Sequence, residues 1–445
     1  MDCFRIAGGV RLLGRVRASG SKNAALPIMA AALLVDGPVT LEQVPDLADV
    51  NTLALLLGYL GVEVKRDLDG NLRIATVDPG PTKADYDLVR RMRASFCVLG
   101  PLLARRGRGV VSLPGGCNIG TRPVDLHLAG LSALGAEVRI EHGYVNAQAR
   151  RLRGAEIHLQ GAFGPTVTGT ANVMSAATLA LGRTVISGAA AEPEIVDLGN
   201  FLIAMGAQIS GLGTDTIEIV GVDELKPTQY RIIPDRIEVG TLLLAGAITG
   251  GCVTVEGVRP EHLAAVFDAL LAAGADVDCR ADEVTVRAVG RPRPTDISAR
   301  PYPGVPTDLQ AQFMALLSLS TGESQISDHV FPDRFMQVAE LNRLGARIER
   351  SGSTVMVRGV SELSGATVMA SDLRASAALV LAGLAAARET IVRRIYHLDR
   401  GYQRLEEKLA LLGARISREP DQEASLPVRH ALHQRTPAEE ARTRS

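Results

Sequence analysis

One apolar passage recurs six times along this chain. It reads YLGVEV from Tyr59, ALGAEV from Ala133, AMGAQI from Ala204, AAGADV from Ala272, RLGARI from Arg343 and LLGARI from Leu411. Before each glycine runs an amphipathic stretch of helical period. After it, β-branched residues alternate as in a strand. The glycines are Gly61, Gly135, Gly206, Gly274, Gly345 and Gly413, spaced by 74, 71, 68, 71 and 68 residues. Self-similarity at a fixed period marks repeated supersecondary units. Each glycine is expected to cap the C-terminus of its helix. The segment from Asn200, NFLIAMGAQISGLGTDTIEIVGV, predicts the whole passage: helix, cap at Gly206, strand, turn at Gly213, strand.

A second pattern lies between these copies, as in AALLVDGPVTLEQV, ATLALGRTVISGA and LAGAITGGCVTVEGV. Each is an Ala/Leu-rich helix, a short turn and a strand, so a unit comprises about two helices and three or four strands. Six units of about 70 residues suit two domains of three units each. The helices are apolar on nearly every face, which predicts an α/β fold with buried helices and outer sheets. Beyond Arg418 the pattern fades, and residues 421–445 read as a mobile tail.

Composition narrows the class. Of 445 residues, 46% are apolar and 22% charged, with a formal net charge of −1. That is a soluble globular profile, and it argues against a nucleic-acid binder. The longest apolar run, near Ile28–Val35, is too short to span a membrane, and MDCFRIAGG does not read as a secretory signal. The five cysteines are scattered without zinc-ligand spacing, which favours a reduced, cytoplasmic chain. His127, His158, His262 and His397 are equally scattered, so no metal site is expected.

Candidate chemistry gathers in a few polar stretches. In LPGGCNIGTRPVD, Cys117 sits among glycines rather than in an apolar run, so it is either an inert loop residue or a thiol within reach of substrate. Lys22 and Asn23, in SGSKNAALP, read as an anion site or as a solvated helix start. The spacing from Gly14 to Lys22, with no hydroxyl following, excludes a nucleoside-triphosphate loop. Arg93, in RRMRAS, is flanked by apolar and small residues, although a charge run on a helix is usually a solvated face. Asp308, in VPTDLQAQF, is placed as a helix cap would be. Asp372 and Arg374, in ASDLRAS, also stand at a helix start.

The stretches SGSKNAALP, YDLVRRMRAS, SLPGGCNIGTRPVDLH, EPEIVDLGNFL, PDRIEVGT, PTDLQAQF, MASDLRASAALVLAG and RIYHLDRGY resemble the enolpyruvyl transferases, from Met1 to about Ser417. The resemblance implies two inside-out α/β domains, 22–231 and 1–21 with 232–420. It implies transfer of the enolpyruvyl group of phosphoenolpyruvate to the 3′-hydroxyl of UDP-N-acetylglucosamine with release of phosphate, or, in a paralogue, to another acceptor such as a nucleoside monophosphate. Lys22, Arg93 and Arg122 would hold the phosphate, and Arg374 and Arg400 the carboxylate. Asn23 would bind the sugar or intermediate, and Asp308 would act as base or orienting acceptor for the sugar hydroxyl. Pro123, Val124, Asp125 and Leu126 would bind uridine, with Thr166, Val167, Thr168 and Val330 also on the nucleotide side. Asp372 would support the transition state or the cation network, and Arg334 would lie on a closing loop. Cys117 would donate a proton to C3 or bond covalently to phosphoenolpyruvate. Glu192, Arg236 and Glu238 read as family positions or structural ion pairs. Where relatives carry Lys and then Ser-Val-Gly-Ala-Thr, this chain has Gly164-Pro165-Thr166-Val167-Thr168, so a lysine contact to the diphosphate is lost. Arginine and lysine handle the phosphates, so no cofactor is expected.

Overall fold

The computed structural model describes residues 2–114 and 124–421. All six repeat glycines lie one residue beyond a helix cap with positive φ: 77° at Gly61, 94° at Gly135, 105° at Gly206, 91° at Gly274, 92° at Gly345 and 97° at Gly413. L side chains resist this left-handed backbone, which explains why glycine recurs there. Around Gly206 the predicted order holds, with helix Pro193–Ala204 followed by strands Gln208–Ser210 and Thr216–Val220.

Each unit contributes one four-stranded sheet of a common plan. In the third unit, Glu156–His158 pairs parallel with Arg183–Ser187, which pairs antiparallel with Thr216–Val220, which in turn pairs antiparallel with Gln208–Ser210. Two sheets take strands from the N-terminus. Asp2–Ala7 lies antiparallel between Glu389–Arg393 and Arg415–Pro420, with Phe4 opposite Val392 and Arg418. Leu13–Arg17 adds in parallel to Cys252–Glu256. The chain therefore begins inside the sheets of its C-terminal half.

The buried apolar residues form two separate clusters. One draws on residues 24–233, the other on residues 4–16 and 237–412. The strip linking 17 to 22 runs antiparallel beside 232–235: Ser21 N–H donates to Ile233 O at 2.7 Å, and Asp235 N–H to Ser19 O at 2.9 Å. Gly20 is required there, because a Cβ would stand 1.7 Å from Gln43 O.

The two helices of a unit behave differently. Arg236–Ile248 and Gln310–Leu317 are buried along their whole length, and Leu373–Ala385 nearly so. These three pack on one another. Helices that end at the repeat glycines, such as Ala48–Tyr59 and Leu405–Leu411, bury one face and expose residues such as Leu55, Tyr59 and Leu411. The expectation of burial on nearly every face thus holds for one helix per unit. The other packs one face on its sheet or on a buried helix, as Ala48–Tyr59 does on Lys22–Ala31, and turns the opposite face to solvent. Asp421, assigned above to the tail, pairs with Arg393 at 3.5 Å. Residues 422–445 lie outside the described residues.

Candidate active site

Lys22 opens helix Lys22–Ala31, whose first turn is capped by the Ser21 hydroxyl accepting from Ala24 N–H. The side chain is buried, and its Nζ stands 3.1 Å from Asp49 Oδ2. Asp49 lies in the first turn of Ala48–Tyr59 and also receives Arg400 Nε at 2.9 Å. Burial lowers the Lys22 pKa against the opposing pull of Asp49, and Arg374 and Arg400 lower it further. Burial alone raises the pKa of Asp49, but Lys22 and Arg400 outweigh it, so the carboxylate stays ionised.

A second cluster centres on Asp308. Its Oδ1 accepts from Arg334 Nη1 at 2.7 Å, and its Oδ2 from Arg374 Nη2 at 2.8 Å. Burial again works against ionisation, yet Arg374 and Arg334 hold its pKa well below the ordinary carboxylate value. Asp308 is therefore not the helix cap its position suggests. The Arg374 guanidinium lies over the ring of Tyr402, 5.3 Å from the centroid. The Tyr402 hydroxyl in turn meets Thr241 Oγ1 at 3.0 Å and Gln312 Nε2 at 3.2 Å. Arg374 Nη1 is buried and has no hydrogen-bond partner among the described residues.

The two clusters adjoin. Lys22 feels the charges of both Asp308 and Arg374, and its backbone N–H donates to Asp235 Oδ2 at 3.3 Å. Among the described residues, Lys22, Arg400, Arg374 and Arg334 pair with Asp49 and Asp308, and Asp235 is a third acid close to Lys22 and Arg374. Four cations against three carboxylates leave positive charge for a small polyanion. Arg93 opens the turn Arg93–Val98, which packs against helix Lys22–Ala31. Asn23 follows Lys22, half-buried.

The positions expected on the nucleotide side lie in several elements. Asp125 and Leu126 begin helix Asp125–Ala133, after the buried Val124. Leu126 packs on Gly161, where a Cβ would meet its Cδ1 at 3.3 Å. Gly161 pairs with Gly164 in the short ribbon that leads to Thr166. Thr166 caps helix Val167–Ala177, accepting from Gly169 N–H at 3.2 Å. Val330 is held by its N–H to Asp328 Oδ1, at 2.9 Å. Cys117, Arg122 and Pro123 lie outside the described residues.

Other expected residues have structural partners. Asp372 caps helix Leu373–Ala385, accepting from Arg374 N–H at 2.9 Å and Ala375 N–H at 3.1 Å. Arg236 forms a buried bidentate pair with Glu194, at 2.9 and 3.1 Å, rather than with Glu192. Glu238 is buried against Lys408 Nζ, at 2.8 Å, and Ser19 N–H, at 2.6 Å. Sequence motifs do not mark Asp49, and they place Arg334 only on a closing loop. Asp49 resembles any acid in a first helical turn, and Arg334 any loop arginine; their partners lie 27 and 26 residues away. Among the described residues no group of three or more His, Cys, Asp or Glu side chains is placed to hold a metal ion. No helix there is long and apolar enough to cross a membrane.

Residues 6–409 match the family described as EPSP synthase (3-phosphoshikimate 1-carboxyvinyltransferase). The chain is 57% identical over 426 residues to the UDP-N-acetylglucosamine 1-carboxyvinyltransferase of Anaeromyxobacter sp. (strain K), covering 94% of this chain and 99% of that one. It is 53% identical over 419 residues to the protein of the same name from Geobacter metallireducens, covering 94% and 99%. Among solved structures, the enolpyruvyl transferase NikO from Streptomyces tendae superposes with a TM-score of 0.85 at 29% identity, covering 94% of this chain and 98% of that one. An EPSP synthase from Acinetobacter baumannii shares the fold, with a TM-score of 0.72 at 17% identity, covering 94% and 100%.

Proposed function

The chain belongs to the EPSP synthase (3-phosphoshikimate 1-carboxyvinyltransferase) family, and we propose that within it the chain transfers the enolpyruvyl group of phosphoenolpyruvate to the 3′-hydroxyl of UDP-N-acetylglucosamine, releasing phosphate. The observation that carries this reading is the surplus of cations around Asp49 and Asp308, in a chain so close to UDP-N-acetylglucosamine 1-carboxyvinyltransferases over nearly its full length.

In this reading Lys22, Arg93 and Arg122 take the phosphate of phosphoenolpyruvate, and Arg374 and Arg400 its carboxylate. The unsatisfied Nη1 of Arg374 supplies a donor ready for that anion. Asp308 starts as a weak base between two guanidiniums and orients the sugar hydroxyl as acceptor. When Arg374 engages the carboxylate, Asp308 loses part of its counter-charge and becomes more basic. The sugar oxygen then bonds to C2 as its proton leaves, and C3 takes a proton, giving a tetrahedral adduct. Loss of phosphate from C2 and of a proton from C3 restores the double bond. Cys117 serves as proton donor to C3 or as covalent partner of phosphoenolpyruvate; a Cys117→Asp variant that stays active favours the proton role. Thr166, Val167 and Thr168, at the start of helix Val167–Ala177, take the diphosphate through backbone and hydroxyl groups in place of the lysine that this chain lacks.

We assign the two domains to 22–231 and to 1–21 with 232–420, supported by the two apolar clusters. The reaction places the chain at the first committed step of peptidoglycan precursor synthesis, in the cytoplasm. The test is phosphate release with phosphoenolpyruvate and UDP-N-acetylglucosamine, with the acceptor omitted or replaced by a nucleoside monophosphate. Release that depends on the UDP-sugar is expected. Release only with the monophosphate transfers the reading to a paralogous acceptor, and none with either overturns it.

A further inference from the structure

His127 is buried in helix Asp125–Ala133, one residue beyond Leu126, and has no part in the chemistry above. Its ring touches Phe96 edge-on, with centroids 5.2 Å apart. Its Nε2 lies 3.1 Å from Thr168 Oγ1, and its Nδ1 3.1 Å from Asn172 Nδ2. Asn172 is fully buried, and its amide orientation is set on both sides: Oδ1 accepts from Gly100 N–H at 2.5 Å, and Nδ2 donates to Phe96 O at 3.0 Å. Nδ2 therefore also donates to His127 Nδ1. That makes Nδ1 the acceptor and leaves Nε2–H to donate to Thr168. Gly100 permits this approach, since a Cβ there would stand 2.2 Å from Asn172 O.

The network joins three separate pieces of the site. His127 ties the helix carrying Asp125 and Leu126 to the helix start carrying Thr166, Val167 and Thr168. Asn172 ties that second helix to the Arg93–Val98 turn, and does so without His127. Resting on the proposed UDP-sugar reading, we propose that His127 is a positioning residue. Its neutral imidazole, donating from Nε2 and accepting at Nδ1, fixes the uridine-side helix against the diphosphate-side helix, and so sets affinity for the sugar nucleotide independently of phosphoenolpyruvate.

The test compares His127→Phe, which fills the space but lacks both polar atoms, with His127→Gln, whose amide keeps one acceptor and one donor. In steady-state phosphate release, His127→Phe is expected to raise KM for UDP-N-acetylglucosamine about tenfold, since it removes the donor to the half-buried Thr168 hydroxyl and leaves one N–H of the buried Asn172 amide unpaired. KM for phosphoenolpyruvate should move less than about twofold, because Asn172 still holds the Arg93 turn, and His127→Gln should recover most of the loss. Equal changes in both KM values, or no rescue by glutamine, overturns the proposal. If His127→Phe does not fold, Thr168→Val, His127→Leu and the double variant are compared with the parent. Additive effects on KM for the nucleotide then overturn it, and non-additive effects support it. A parent protein inactive with UDP-N-acetylglucosamine overturns the substrate reading and this inference together. An active parent with unselective variants overturns this inference alone.

Discussion

Arg400 Nε stands 2.9 Å from Asp49 Oδ1, although 351 residues separate the two along the chain. Asp49 sits at the start of a helix packed in the first apolar cluster, and Arg400 ends the turn Ile395–Arg400 of the second. The same carboxylate holds Lys22. One buried acid thus organises two of the cations assigned to phosphoenolpyruvate.

Asp49→Asn keeps the shape and removes the charge. Lys22 is then buried without its counter-ion, a change that costs about 3 kcal/mol at well-buried pairs. Arg400 is more than a third exposed and adds little to that figure. We expect a lower denaturation midpoint and kcat/KM for phosphoenolpyruvate reduced about 100-fold. Unchanged kinetics would show that the two cations do not need this acid.

The Asp308 carboxylate gives a pH signature. Its pKa is depressed in the folded chain by Arg374 and Arg334, against the opposing effect of burial. The unfolded chain therefore takes up its proton first as pH falls. The stabilisation is complete above about pH 4, near the ordinary aspartate value, and is lost as pH drops further through the native value. Denaturant midpoints of the parent and of Asp308→Asn should differ most near neutrality and converge in acid. A gap that widens in acid contradicts this assignment.

Arg374→Lys retains one positive charge but loses the planar fork, the stack on Tyr402 and one of the two ties to Asp308. KM for phosphoenolpyruvate is expected to rise about tenfold or more, with KM for the sugar nucleotide nearly unchanged. Initial-rate measurements with each substrate varied in turn decide it.

The glycines separate backbone strain from steric conflict. At Gly206, where φ is 105° and no atom lies within 4 Å of a Cβ, alanine should cost about 1–2 kcal/mol through backbone conformation alone. At Gly20 a Cβ would collide with Gln43 O, so Gly20→Ala should lower the yield of folded protein or cost well over 3 kcal/mol. Equal midpoints for the two variants in urea unfolding would refute the distinction.

The repeat was legible because its signals are local. A glycine beyond a helix, followed by alternating β-branched residues, specifies helix end and strand start within about ten residues, and all six copies adopt it. The Lys22, Asp308, Arg374 and Arg400 positions were legible through motifs, and the structure gathers them in two adjoining clusters. Their partners were not legible. Asp372 and Asp308 each stand at a helix start, yet one caps backbone N–H groups and the other bridges two arginines. Nothing in the flanking residues separates them.

Sequence alone was enough for the six units, their element order and the family resemblance, since hydrophobic period and glycine backbone preference act over short range. Tertiary structure decided that the first strand completes the last sheet, with Phe4 between Val392 and Arg418. It also decided that Asp49 joins Lys22 to Arg400, and that Asn172 fixes the proton on His127 Nε2. Such contacts join residues 27 to 414 positions apart. Packing brings them within reach and strips their water, and only then do charge and hydrogen-bond direction select the partner.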